Sequence, residues 1–365
     1  MLVFIIALTT CFLLIFIILR YKWQFMSKSE PNLWEVHIFY REPSPRIGGI
    51  AIILGVFLAM SAGYFQSAEV SIFGHLLLFS ALPVFLAGFF EDITKKVGVK
   101  GRLLAAFISA GLAGYLLNAW LSNIQIMGID DFLLTYPIAV IAITCFAVGG
   151  VTNAFNIIDG FHGLSAMIAA TILTGIAYVA FQVGDPLIMI AALAMIGALA
   201  GFLVWNYPRG LIFLGDGGAY LIGFWIAELS VLLAVRHPEV SKWFLLLLCF
   251  YPIFETVFTI YRRAILRGAN PGRSDSIHMH HLIYKRIMRS SPDGGYFNLK
   301  NQRNLMTSLY VWLLALLPII LAILFWRYQM VLIGFSALLA IAYIWFYWSI
   351  VRFKVPGWMI IKLKN

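Results

Sequence analysis

Long apolar stretches broken by short polar ones set the pattern of this chain. Eleven of them approach the roughly 20 residues a helix needs to cross the hydrocarbon of a bilayer. They run over residues 1–19, 47–65, 72–90, 102–121, 132–152, 164–182, 186–206, 217–235, 241–261, 308–326 and 329–351. No repeat of 20–50 residues stands out. The pattern predicts an all-α polytopic integral membrane protein with about eleven transmembrane helices, in one domain over residues 1–365.

The first stretch begins at Met1 with no basic residue ahead of it, and Arg20 and Lys22 follow it. A secretory signal carries its positive residues first, so this stretch reads as a retained helix with its N-terminus outside. An odd number of spans then places the C-terminus in the cytoplasm. Charge supports that orientation. Of the 26 Lys and Arg, all but Arg236, Lys242 and Arg327 fall on the proposed inner side. Positive residues favour the cytoplasmic side, and one miscounted span would spoil the split.

Composition agrees. The chain is 62% hydrophobic and 12% charged, against about 45–50% and 25% in soluble domains. The net charge of +10 therefore reads as topology, and no nucleic-acid partner is expected. Cys11, Cys145 and Cys249 lie within apolar stretches at spacings that suit neither disulfides nor zinc. They read as buried apolar residues.

The outer connections are short, and Asp130 and Asp131 read as a solvated loop pair. The inner connections, 20–46, 91–101, 153–163, 207–216 and 262–307, hold the chemistry. Asn153, Asn156 and Asp159 are spaced three apart, so a helix presents them on about one third of its circumference, and Gly160 and Gly163 can end that helix. Glu91 and Asp92 close the third span. Asp216 opens the eighth, within Phe213-Leu-Gly-Asp216-Gly-Gly, where it could serve simply as an N-cap. Acids beside lipid are costly and tend to face a cavity or a partner. Their convergence on one side suggests Mg²⁺, a hard cation that rests on one or two carboxylates and substrate phosphates.

His278, His280 and His281 can bind a transition metal. They can also grip phosphate with Arg262, Arg263, Arg267 and Arg273, or form an ordinary polar loop. The nearby acids and the lack of cysteine put phosphate first. Arg46, in Pro45-Arg46-Ile-Gly48-Gly49, is placed for a phosphate or for lipid head groups. The aromatic and charged residues of 20–46 suit a segment lying on membrane lipids. Of the deeper polar residues, Glu255 is expected near the cavity, and Glu228 and Asn206 in helix-to-helix hydrogen bonds.

Taken together, these motifs resemble the polyprenyl-phosphate N-acetylhexosamine-1-phosphate transferases, a glycosyltransferase family 4 type. The likeness covers nearly the whole chain. It rests on the Pro-Arg-Ile-Gly-Gly segment, the acidic pair Glu91-Asp92, the Asn-x-x-Asn-x-x-Asp-Gly run, Phe-x-Gly-Asp-x-Gly at 213–218 and the His-x-His-His loop. It implies a single transmembrane catalytic domain in the bacterial cytoplasmic (inner) membrane, its active site facing the cytoplasm. It implies transfer of a sugar 1-phosphate from a UDP-N-acetylhexosamine to undecaprenyl phosphate, with release of UMP. It also implies Mg²⁺, with Mn²⁺ as a substitute, and a homodimer. Carried over by motif position, Asp92, Asp159 and Glu91 are catalytic, and Asp216 and Asp159 hold the metal. Arg46, Lys95, Asn153, Asn156, His162, Arg273, His278, His280 and His281 bind substrate. Two departures, Glu91 for an aspartate and His162 for a second acid, bring the chain closer to the O-antigen and common-antigen branch than to the peptidoglycan enzyme. A transporter of an anionic solute and a zinc metallohydrolase are the competing readings. Transporters place polar groups on broken helices at the bilayer midplane, whereas these gather at one interface.

Overall fold

The computed structural model describes residues 1–21, 44–65, 67–268, 277–290 and 296–363. Each of the eleven apolar stretches coincides with a helix. In chain order these are α1 (Leu2–Arg20), α2 (Gly48–Gly63), α3 (Ala68–Thr94), α4 (Val99–Leu117), α5 (Pro137–Ile158), α6 (Leu164–Gln182), α7 (Pro186–Asn206) and α8 (Gly215–Arg236). The ninth stretch forms two helices, α9 (Lys242–Leu248) and α10 (Phe250–Tyr261), followed by α11 (Tyr296–Leu324) and α12 (Gln329–Val351). Among the described residues, nine of these helices are long and apolar enough to cross a membrane. α2 is shorter at 16 residues, and α9 with the extended α10 makes one span bent by 77°.

The bend has a local cause. Pro252 has no N–H to give Leu248, and its ring crowds that carbonyl, so α9 stops at Leu248 and α10 restarts at Phe250. Two further expectations need correction. Asp130 and Asp131 are not a plain loop pair: they open a short helix, Ile129–Thr135, and Asp130 accepts a hydrogen bond from the Ile124 amide at 2.7 Å. The chain also holds two short parallel strands, Met288–Ser290 and Ile361–Leu363, too short for an alternating pattern to mark.

α8 lies at the centre, its residues buried from Gly215 to Ala234 apart from Asp216. A helix apolar all round belongs inside a bundle. It packs against α2, α3, α4, α5, α6 and α7. Glycines let its N-terminal half touch its neighbours backbone to backbone. A Cβ on Gly49 of α2 would meet the Gly218 backbone at 2.6 Å, and one on Gly88 of α3 would meet the Gly217 amide at 2.6 Å. Farther along, Gly223 abuts Thr152 of α5 at 2.8 Å by the same measure. These contacts bring the ends of α2, α3, α5 and α8 to one place.

Candidate active site

The site is built at that end of the bundle. Asp92 follows Gly88 by one turn of α3, and this sets its carboxylate against the N-terminus of α8. One oxygen accepts from the Asp216 amide at 2.9 Å and the other from the Gly217 amide at 3.0 Å. The first amides of a helix lack intrahelical partners and favour an anion. Asp92 therefore anchors α8 as well as contributing charge. Asp216 is not an N-cap: α8 starts at Gly215, and the Asp216 side chain in its first turn forms an ion pair with Arg102 of α4. The Arg102 guanidinium also lies 5.7 Å from the Tyr220 ring centre. The Tyr220 hydroxyl donates to Asn153 at 3.2 Å, which ties α5 into the group.

The Pro-Arg-Ile-Gly-Gly segment is stitched to the Phe-x-Gly-Asp-x-Gly segment by backbone bonds. The Phe213 amide donates to Pro45 at 2.9 Å, Gly48 to Phe213 at 2.9 Å and Gly49 to Leu214 at 3.0 Å. Ser44 donates to Gly210 at 2.9 Å. Gly215 takes a φ of 73°, and a Cβ there would collide with the Arg46 carbonyl and the Asp92 carboxylate. This pairing fixes Arg46, whose charge acts on both Asp92 and Asp159.

α5 ends at Ile158, one residue before Asp159, and Gly163, with φ 67°, leads into α6. The helix thus ends ahead of Gly160, and Gly163 serves the next helix. Asn156 lies in the last turn of α5, half-buried, and its carbonyl accepts from the Asp159 amide at 3.3 Å. The Asp159 carboxylate accepts from Ser165 at 2.5 Å. Burial pushes its pKa up to about 6; the Ser165 hydrogen bond and Arg46 oppose the rise, and the charge of Asp92 adds to it. Asp92, Asp159 and Asp216 therefore share one cluster with Arg46, Arg102 and Asn153.

The histidines approach from the other side. The His280 and His281 rings lie 4.5 Å apart, and each sits within 5.7 Å of the Phe161 ring. A Cβ on Gly160 would be 3.7 Å from the His280 Nε2 and 3.9 Å from the His281 Nε2. His280 is buried, and burial and the neighbouring histidines hold its pKa well below the usual imidazole value. His278 packs at 5.4 Å from His280. Among the described residues no group of three or more His, Cys, Asp or Glu is arranged to hold a metal ion.

Other expected residues sit differently. His162 is 4% exposed. Its Nδ1 lies 3.0 Å from the Pro208 carbonyl, and its amide donates to Asn304 at 3.0 Å. It ties down the 207–213 connection, and burial lowers its pKa. Lys95 is an exposed left-handed cap at the end of α3, with φ 56°, and its charge still acts on Asp92. Glu91 is half-buried, with one carboxylate oxygen lacking a hydrogen-bond partner among the described residues. Arg273, most of 20–46 and part of 262–307 lie outside the described residues. Asn206 makes a loop tie instead of a helix-to-helix bond, accepting from Gly163 at 2.5 Å and donating to Ile212 at 2.6 Å. Glu228 is fully buried with no hydrogen-bond partner among the described residues.

Sequence reasoning missed Arg102, Ser165 and Tyr220 as members of the site. Arg102 reads as a topology charge, and the two hydroxyls sit in apolar helices. Only the spacing of Ser165, six residues after Asp159, offered a hint.

Comparison with known proteins gives the same direction. Glycosyl transferase family 4 matches residues 75–234, which span α3 to α8. A probable undecaprenyl-phosphate N-acetylglucosaminyl 1-phosphate transferase of Bacillus subtilis (strain 168) is 28% identical over 288 residues, 77% of this chain and 76% of the relative. An undecaprenyl-phosphate alpha-N-acetylglucosaminyl 1-phosphate transferase of Thermotoga maritima is 28% identical over 243 residues, 67% of this chain and 69% of the relative. A phospho-N-acetylmuramoyl-pentapeptide-transferase of Bacillus licheniformis is 30% identical over 203 residues, 52% of this chain and 61% of the relative. With its polytopic helical fold and its helix-end acids, the chain is similar to glycosyl transferase family 4 over α3 to α8 and, over most of its length, to these N-acetylglucosaminyl 1-phosphate transferases.

Proposed function

We propose that this protein transfers an N-acetylated hexosamine 1-phosphate from a UDP-sugar to undecaprenyl phosphate, releasing UMP and forming a lipid diphosphate sugar. The observation that carries this reading is the meeting of Asp92, Asp159 and Asp216 with Arg46 and the histidine segment at one end of the bundle. Both substrates are phosphorylated, one is a lipid, and the reaction needs charge neutralised where membrane meets water. The family relatives named for this transfer support it. A transporter would need its polar groups near the midplane.

In this reading an acceptor phosphate oxygen attacks the sugar-bearing phosphorus of the donor, and the bond to the UMP oxygen breaks. The acceptor is already an anion, so alignment and charge neutralisation matter more than a strong base. Arg46 draws the phosphates in. Asp92 orients the acceptor and takes any residual proton, with Glu91 beside it. Asn153, Asn156 and Lys95 line the substrate path, and the histidines bind the donor diphosphate.

The donor set fits Mg²⁺ or Mn²⁺. Asp216 and Asp159 offer oxygen ligands of the kind a hard cation prefers, with water and substrate phosphate to complete the set. Asp216 would hold the ion only as Arg102 yields its pairing. When bound, the ion neutralises the donor diphosphate and the departing UMP. The charge split supports a cytoplasmic facing for this end of the bundle, and the family resemblance supports a bacterial inner membrane. Glu91 and His162, the two departures from the peptidoglycan pattern, favour surface polysaccharide of the O-antigen type as the destination. Related enzymes suggest a homodimer by analogy.

The test is UMP release in vesicles containing undecaprenyl phosphate, with a panel of UDP-N-acetylhexosamines and added Mg²⁺. Release is expected only when lipid, sugar nucleotide and cation are all present. No release with any panel member would overturn the reading. The Asp216→Asn variant, correctly inserted, is expected to lose cation-dependent transfer; near-normal activity would remove Asp216 from the site.

A further inference from the structure

α10 turns three polar side chains, Tyr251, Glu255 and Thr259, toward the histidine segment. They are spaced four apart, so they form one stripe on the helix, and all three are buried. The Tyr251 hydroxyl lies 3.3 Å from the His280 Nδ1. The Thr259 hydroxyl lies 3.2 Å from the His278 Nδ1 and donates to Glu255 at 3.5 Å.

Glu255 is the hub. It is 1% exposed. The His278 Nδ1 sits 2.9 Å from its Oε1, and the Met279 amide donates to its two oxygens at 3.2 and 3.3 Å. From α12, the Tyr343 hydroxyl donates to its Oε2. A carboxylate has about four lone-pair sites, and here donors from three separate segments fill them. Such complete pairing is what a buried charge requires. It also leaves Glu255 no capacity to bind substrate itself.

What it does is orient a neighbour. A histidine that donates from Nδ1 to a carboxylate has its tautomer and ring plane set, and Nε2 is left for another partner. We propose that Glu255 is a positioning residue for the sugar-nucleotide subsite: it fixes the His278 ring and pins the Met279 backbone, so that the histidine segment stands ready for the donor diphosphate. This rests on the reading that the segment binds that diphosphate. The acceptor side of the site, at Arg46 and Asp92, is untouched by this network.

The experiment uses the full chain in undecaprenyl-phosphate vesicles, with KM for UDP-sugar and for lipid acceptor measured separately. Glu255→Gln puts an amide N–H₂ among donors. It is expected to raise KM for UDP-sugar about tenfold while KM for the acceptor stays within about twofold. His278→Ala is expected to cost about as much, and the double variant to lie within about twofold of His278→Ala alone, because coupled residues are not additive. Multiplied effects in the double variant, or equal shifts in both KM values, would overturn the proposal. If Glu255→Gln fails to insert, Tyr343→Phe makes the same comparison, with an expected rise of about threefold in KM for UDP-sugar alone; an unchanged value counts against the proposal. Calorimetric binding of UDP-sugar to the same variants repeats the comparison without turnover. An inactive wild type that still binds UDP-sugar would thus strike the proposed reaction, whereas uncoupled binding would strike Glu255.

Discussion

On the acid side of the site, backbone touches backbone; on the histidine side, side chains hold a segment against the bundle. Asp92, Asp216 and Arg46 stand where α2, α3 and α8 meet through glycines, and their places follow from helix contacts that cannot be adjusted singly. His278 and His280 owe their places to Glu255, Tyr251 and Tyr343, each a rotatable group. The difference suits the two jobs. Charge for phosphoryl transfer must be fixed before reaction, since preorganised electrostatics carry most of the gain. A subsite for a sugar nucleotide can be tuned by changing one side chain in a network.

The largest effect should come from the rigid side. Asp92→Asn keeps an oxygen for one of the two α8 amides but removes the charge beside Arg46. Transfer is expected to fall at least about a thousandfold, while the α8 amide left unpaired costs about 1–3 kcal/mol of stability. UMP release and a thermal scan in detergent check both halves. A modest loss would show that Asp92 serves α8 more than the reaction.

Two glycines then separate the sides directly. A Cβ on Gly88 would sit 2.6 Å from the Gly217 amide and 2.7 Å from the Asp216 carbonyl carbon, whereas one on Gly160 would meet only imidazole atoms at 3.7 Å or more. Backbone cannot move aside as a ring can. Gly88→Ala is therefore expected to cost about 1–3 kcal/mol of stability, and Gly160→Ala less than about 1 kcal/mol. Equal costs, read from unfolding of the two purified variants, would erase the contrast.

Arg102 gives a third, smaller effect. It competes with any cation for Asp216. In Arg102→Ala the Mg²⁺ concentration for half-maximal UMP release is expected to fall about threefold to tenfold, the size of a partly exposed ion pair. A rise would mean that Arg102 assists the cation site.

The same contrast explains what could be read from the chain alone. The spans were legible because lipid demands long apolar helices; the break in 241–261 was not, because Pro83 and Pro318 lie inside spans that stay whole. The acids were legible because charge at a helix end beside lipid is rare and costly. Arg102 was not: a lone arginine at the start of a span looks the same whether it marks topology or pairs an aspartate. The histidines could be seen as a motif, but their support could not. Glu255 lies 23 residues before His278 and Tyr343 lies 88 residues after Glu255, and no local spacing joins them. The ties of His162 were hidden for a related reason. Motif position put it with the substrates, and its ties to the Pro208 carbonyl and the Asn304 side chain lie 46 and 142 residues away.

The finest test concerns the one acid that stands between the two sides. Asp159 follows α5, one residue before the glycine that the His280 and His281 rings approach. Burial raises its pKa from 3.8 to about 6, against the pull of Ser165 and Arg46. In the metal-ligand role proposed for it Asp159 has to be ionised, so activity is expected to fall as pH drops through about 6. For stability the sign runs the other way. The folded protein holds this proton more tightly than the unfolded chain, so the contribution is full below about pH 4 and is lost as pH rises through 6. Ser165→Ala removes the hydroxyl that favours the carboxylate, and the pKa rises further. The acidic limb of UMP release is expected to move up by about one pH unit, with activity at pH 8 within about twofold of wild type. A limb that stays in place would assign it to another group, and a limb that moves down would mean that Ser165 stabilises the protonated acid instead.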